Sequence, residues 1–233
     1  MNSNKNTARV AGLLYLIVAV FAGFAQFFRT SVVVPGDAAA TVTNISASEF
    51  LFRVVICSDL IGQIFHIFLV LSLYELFKTI NKNQALLMTI LALIPVPIAM
   101  LNQINQLAVV QLLNGAPYLK AFNSDQLHSQ VVFFINLFNN GVTIAALLWG
   151  LWLFPLGYLV IKSKAIPKIL GILLMVSGAG YVINCFVKLL VSNFHIEIAL
   201  FTFIGEVVFL FWLLIKGVND QLVDKSGSIT SKM

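Results

Sequence analysis

Asp59, Gln63 and His66 stand at i, i+4 and i+7 in an otherwise apolar stretch, which places a carboxylate, an amide and an imidazole on one helix face. Groups of this kind inside a bilayer bind a polar ligand, pass protons, or join neighbouring helices through hydrogen bonds. Similar side chains interrupt other apolar stretches. They are Asn102, Gln103, Asn105, Gln106 and Gln111; then Asn136, Asn139, Asn140 and Thr143; then Ser177, Tyr181, Asn184 and Lys188; and finally Glu206. The sequence contains no G-x-S-x-G, P-loop, G-x-G-x-x-G or H-E-x-x-H pattern, so no catalytic residue, cofactor or metal ligand is assigned. His66 has no second histidine at metal-ligand spacing and reads on its own as a packing histidine.

The elements that carry these groups follow from composition. Of 233 residues, 60% are hydrophobic and only 10% charged. A hydrocarbon core about 30 Å thick takes roughly 20 apolar residues per helix. The expected fold is therefore all-α, a polytopic transmembrane bundle of about six helices over residues 8–28, 49–77, 85–113, 129–161, 169–191 and 198–216, in a single domain 1–216. A polar tail, 217–233, completes the chain. Residues 29–48 and 114–127 are expected as polar loops.

The formal net charge is +5, but the lysines are scattered over loops without a basic helix, so nucleic acid is not an expected partner. Their distribution instead sets topology. Lys5, Arg9, Lys78, Lys82, Lys162, Lys164, Lys168, Lys216, Lys225 and Lys232 fall on one side of the expected spans. Arg29 and Lys120 fall in loops on the other, with Arg53 and Lys188 near helix ends. Positive charge is retained on the cytoplasmic side, so both termini are expected there.

Pro95 and Pro97 are expected to kink the third span, and Asn139-Asn140-Gly141 to break the fourth. Trp149, Trp152 and Trp212 are expected at lipid-facing or interfacial positions. Arg53 and Lys188 are candidates to neutralise Asp59 or Glu206, or to extend towards the outer headgroups beside Glu49 and Glu197. Cys57 and Cys185 lack any paired spacing that would imply a disulfide framework.

Phe154-Pro155-Leu156-Gly157-Tyr158-Leu159, Lys162-Ser163, Ile166-Pro167-Lys168-Ile169-Leu170-Gly171 and Gly180-Tyr181 together resemble the hallmark of a bacterial multi-pass membrane family, domain of unknown function 4386. The opening Ala8-Arg9-x-x-Gly12-Leu13-Leu14-Tyr15-Leu16 is similar to the start of the same family. Lys168 stands where members usually carry Arg, which keeps the charge. The resemblance implies the inner membrane of a bacterium and a multi-pass architecture; it implies no activity or cofactor.

The functional expectation therefore rests on the polar residues. Asp59, Gln63, His66, Asn102, Gln106, Asn136, Asn140, Asn184, Lys188 and Glu206 are expected to line a polar interior that binds or moves a small polar or amphipathic molecule. The bilayer is the expected surrounding partner, and oligomeric state is open. Two alternatives stand beside this reading, a structural or accessory membrane subunit and an intramembrane enzyme. For the amides, interhelical hydrogen bonding worth about 0.6 kcal/mol each is the competing role.

Overall fold

A computed structural model of the chain describes residues 3–191, 198 and 202–218, and every regular element among them is helical. In chain order these are α1 (Ser3–Val32), α2 (Ala38–Ala47), α3 (Glu49–Phe77), α4 (Lys82–Leu93), α5 (Pro95–Leu113), a 3-10 turn (Pro117–Ala121), α6 (Ser124–Leu151), α7 (Leu153–Ser163), α8 (Lys168–Leu190) and α9 (Ile204–Ile215). Among the described residues, five stretches are long and apolar enough to cross a membrane: Asn4–Val32, Glu49–Phe77, Lys82–Leu113, Ser124–Ser163 and Lys168–Leu190. Of the expected span 198–216, the structure describes the apolar helix Ile204–Ile215, while residues 199–201 and most of the tail lie outside the described residues.

Several boundaries differ from the sequence expectation for identifiable reasons. Residues 29–48 are mostly helical, because α1 continues to Val32 and α2 follows a turn at Pro35-Gly36. The Asp37 side chain accepts a hydrogen bond from Ala40 N at 2.8 Å, which caps an alanine-rich helix start. The α6 helix begins at Ser124 because Asn123 and Gln126 form a reciprocal cap. Asn123 Oδ1 accepts from Gln126 N at 2.9 Å, and Gln126 Oε1 accepts from Asn123 N at 3.0 Å.

The third span is interrupted at Ile94, immediately before Pro95, as its prolines suggest. The fourth breaks at Trp152 instead of at Asn139-Asn140-Gly141. Pro155 explains the position: it has no N–H to bond the carbonyl of Leu151, and its ring crowds that carbonyl. Gly141 remains helical and serves close packing, since a Cβ there would collide with the side-chain amide of Asn102.

Two compact units make up the chain. The first comprises Met1–Ile17, Phe65–Val96 and Thr143–Met233; the second comprises Val18–Ile64 and Pro97–Val142. In the first unit α7 packs on α8 and on α4, and α8 also packs on α9. Gly157 and Gly171 bring the α7 and α8 backbones together, because a Cβ on Gly157 would lie 2.5 Å from the Gly171 carbonyl oxygen. This unit's core gathers Leu69, Leu73, Phe77, Met88, Leu156, Phe209 and Leu213. It also contains Trp152, only 2% exposed, which corrects the expectation that this tryptophan faces lipid. The second unit has its own core around Phe28, Ile45, Phe52, Val55, Val109 and Val131.

Candidate functional site

The second unit brings three helices to one carboxylate. Asp59 Oδ2, on α3, accepts from Arg29 Nη1 of α1 at 2.7 Å and from Gln103 Nε2 of α5 at 3.1 Å. The Arg29 and Asp59 side chains are only 17% and 14% exposed. Arg29 occupies the last turn of α1, where a cation also meets the negative end of the helix dipole. Its guanidinium lies over the Phe138 ring, 5.1 Å from the centroid. A nearby amide ties α5 to α6, as Asn102 Nδ2 donates to Phe138 O at 2.8 Å, while within α5 Asn105 Nδ2 donates to Asn102 Oδ1 at 2.9 Å.

Beside this network lies a partly open cavity of about 380 Å³. Its walls are Gln26, Arg29, Thr30, Val32, Val33 and Pro35 from α1 and the following turn, Phe52 from α3, Gln106 from α5, and Ile135, Phe138 and Asn139 from α6. Gln106 is 2% exposed, and neither its Oε1 nor its Nε2 has a hydrogen-bond partner among the described residues. Gln63 Oε1 and Gln103 Oε1 are likewise buried without a partner. A buried polar group without a partner costs about 1–3 kcal/mol.

The ten residues expected to form one polar interior therefore divide. Asp59, Gln63, Asn102 and Gln106 belong to the second unit with the cavity. Asn136 and Asn140 belong to it too but are exposed and stand outside the cavity lining. His66, Asn184, Lys188 and Glu206 belong to the first unit.

There the polar groups serve helix contacts. Tyr15 Oη donates to Glu206 Oε2 at 2.5 Å, and the Tyr181 phenol faces the same carboxyl. Among the described residues Glu206 enters no ion pair. His66 Nε2 lies 3.2 Å from Ala92 O, and its ring meets Trp152 edge-on at 5.7 Å between centroids. Asn184 Oδ1 accepts from Ile198 N at 2.9 Å. Lys188 lies exposed near the end of α8.

Sequence reasoning missed the cation that neutralises Asp59. Arg53, one candidate, instead pairs with Glu49 at 2.7 Å one turn away, and Arg29 takes the role from a segment read as loop. The available signal was the Val32-Val33-Val34 run after Arg29, which extends the apolar character of α1 past the arginine. Thr30 belongs to the same missed helical segment, whereas Gln26 lies inside the expected first span.

The comparisons with known proteins agree with the motif resemblance. The family described as "Domain of unknown function (DUF4386)" matches residues 10–217. An uncharacterized protein of Archaeoglobus fulgidus is 30% identical over 146 residues, which cover 63% of this chain and 73% of that protein. No solved structure matches.

Proposed function

We propose that this chain, which belongs to the DUF4386 family, binds a small amphipathic molecule in the cavity of its second unit. Gln106 carries the proposal: a buried amide with both ends unpaired borders a space large enough to admit a partner. An occupant that bonds this amide recovers the cost of burying it. The volume is at the small end of the range of about 300–1,000 Å³ typical of ligand pockets. Walls that mix Arg29, Gln26 and Gln106 with Phe52, Ile135 and Phe138 suit a ligand with one polar edge and an apolar body.

The proposal includes a topology of six spans with both termini cytoplasmic, α9 being part of the sixth, in the inner membrane of a bacterium. The Lys and Arg distribution supports this orientation. It sets the Val33 and Pro35 rim of the cavity on the outer side.

Native mass spectrometry of gently purified protein tests the binding. The wild type is expected to retain a small-molecule mass that Gln106→Leu loses while remaining as stable to heat. A wild type without retained mass, or a variant that keeps the same mass, would contradict the proposal.

A further inference from the structure

We infer that the cavity selects an uncharged ligand bearing an amide-like edge, one acceptor beside one donor, and that Asp59 is the residue that turns anions away. The inference rests on the binding role just proposed and specifies the chemistry of the same site.

The positive charge in the lining comes from Arg29, which by itself would invite a carboxylate or phosphate. Asp59 is outside that lining yet holds the guanidinium at 2.7 Å, so the charge an entering anion would seek is already neutralised. Gln103 fixes the same Asp59 oxygen at 3.1 Å and holds the carboxylate in place. Both members of the ion pair are largely withdrawn from solvent. An anion would bring one uncompensated charge into this environment, and burying an unpaired charge is far costlier than burying a paired one. A cation meets the converse obstacle, because Asp59 is already shared between Arg29 and Gln103.

An uncharged ligand meets neither penalty. A guanidinium has five N–H donors, and only Nη1 is engaged by Asp59 through a hydrogen bond, so Arg29 retains donors for a neutral carbonyl. The Gln106 amide is planar and carries Oε1 and an Nε2 hydrogen on one edge, which pairs with a second amide by two parallel hydrogen bonds. Phe52, Phe138 and Ile135 cover the apolar part of such a molecule.

Benzamide, benzoate and benzylammonium share one ring and differ in charge, which makes them suitable probes. Thermal unfolding of the full chain in detergent is measured with each at equal concentration. Benzamide is expected to raise the wild-type Tm by about 2–4 °C, the shift for about 1 kcal/mol of ligand stabilisation in a chain of this size. Benzoate and benzylammonium are expected to leave it unchanged. Gln106→Leu should abolish the benzamide shift, and Asp59→Asn should reverse the preference so that benzoate stabilises more than benzamide.

Should Asp59→Asn fail to fold, the double substitution Arg29→Gln, Asp59→Asn removes both charges and should still favour benzamide over benzoate. Benzoate stabilising the wild type as much as benzamide, with Gln106→Leu abolishing both shifts, would overturn the charge selection and leave the cavity as a ligand site. No shift from any probe in the wild type, or shifts that survive Gln106→Leu, would overturn both.

Discussion

Each unit holds a largely buried acid on an apolar helix, and the two are satisfied differently. In the first, Glu206 is met by the phenols of Tyr15 and Tyr181, without a cation among the described residues. Ser177 and Asn184 add hydrogen bonds to the backbone at Thr202 and Ile198, and glycine contacts bring α7 and α8 close. Trp212 Nε1 is buried there without a partner among the described residues. In the second unit Asp59 is met by a guanidinium and an amide, and four buried amide atoms of Gln63, Gln103 and Gln106 have none. The same residue classes thus join helices in both units, and in the second Gln106 also borders an open space. The distinction lies in their unpaired atoms, since an acid by itself identifies neither role.

The largest expected effect sharpens the contrast in how the acids are held. Arg29→Ala leaves Asp59 as an uncompensated, largely buried charge and should lower stability by about 3–5 kcal/mol. Chemical unfolding checks this, and adding Asp59→Asn should restore most of the loss. In the first unit, Gly171→Ala places a Cβ 2.6 Å from Gly157 O and should cost about 1–3 kcal/mol in the same assay. Tyr15→Phe removes one bond to Glu206 and should cost about 0.6–1.7 kcal/mol, the scale of hydrogen bonds between membrane helices. A loss near that of Arg29→Ala would break the comparison, because it would make the phenol as critical as a charge partner. Arg53→Ala should change stability by no more than about 0.5 kcal/mol, since its pair with Glu49 is an exposed i, i+4 contact.

Much of the fold was legible in the sequence because lipid imposes a simple length rule. The starts of the second span at Glu49 and of the fifth at Lys168 follow from apolar runs bounded by charge or proline. Expectation failed where local chemistry outweighed composition. Asp37 and Asn123 cap helices inside segments polar enough to look like loops. Pro155 moved the break in the fourth span to Trp152, while Asn139-Asn140-Gly141 stayed helical.

The candidate site was legible only in part: of the ten expected residues Gln106 lines the cavity, while Asp59, Gln63 and Asn102 share its unit. Asp59, Gln63, Asn102 and Gln106 were identified, but helical periodicity on one chain segment does not reveal which helices face one another. His66 shares a helix face with Asp59 and Gln63, yet it bonds a carbonyl of α4 in the first unit. Arg29 was hidden by its position past the expected end of α1, although no residue bears more directly on the charge of Asp59.

The most direct measurement is side-by-side thermal unfolding of Gln106→Leu and Glu206→Gln, each stripped of bound molecules by exhaustive detergent exchange. Gln106→Leu removes two unpaired polar atoms and should match or exceed the wild-type Tm, while Glu206→Gln exchanges one of the carboxyl oxygens facing the tyrosines for an NH2 that cannot accept from a phenol and should fall below it. If Gln106→Leu is destabilised as much as Glu206→Gln, Gln106 supports the fold instead of a ligand, and the account of the second unit is wrong.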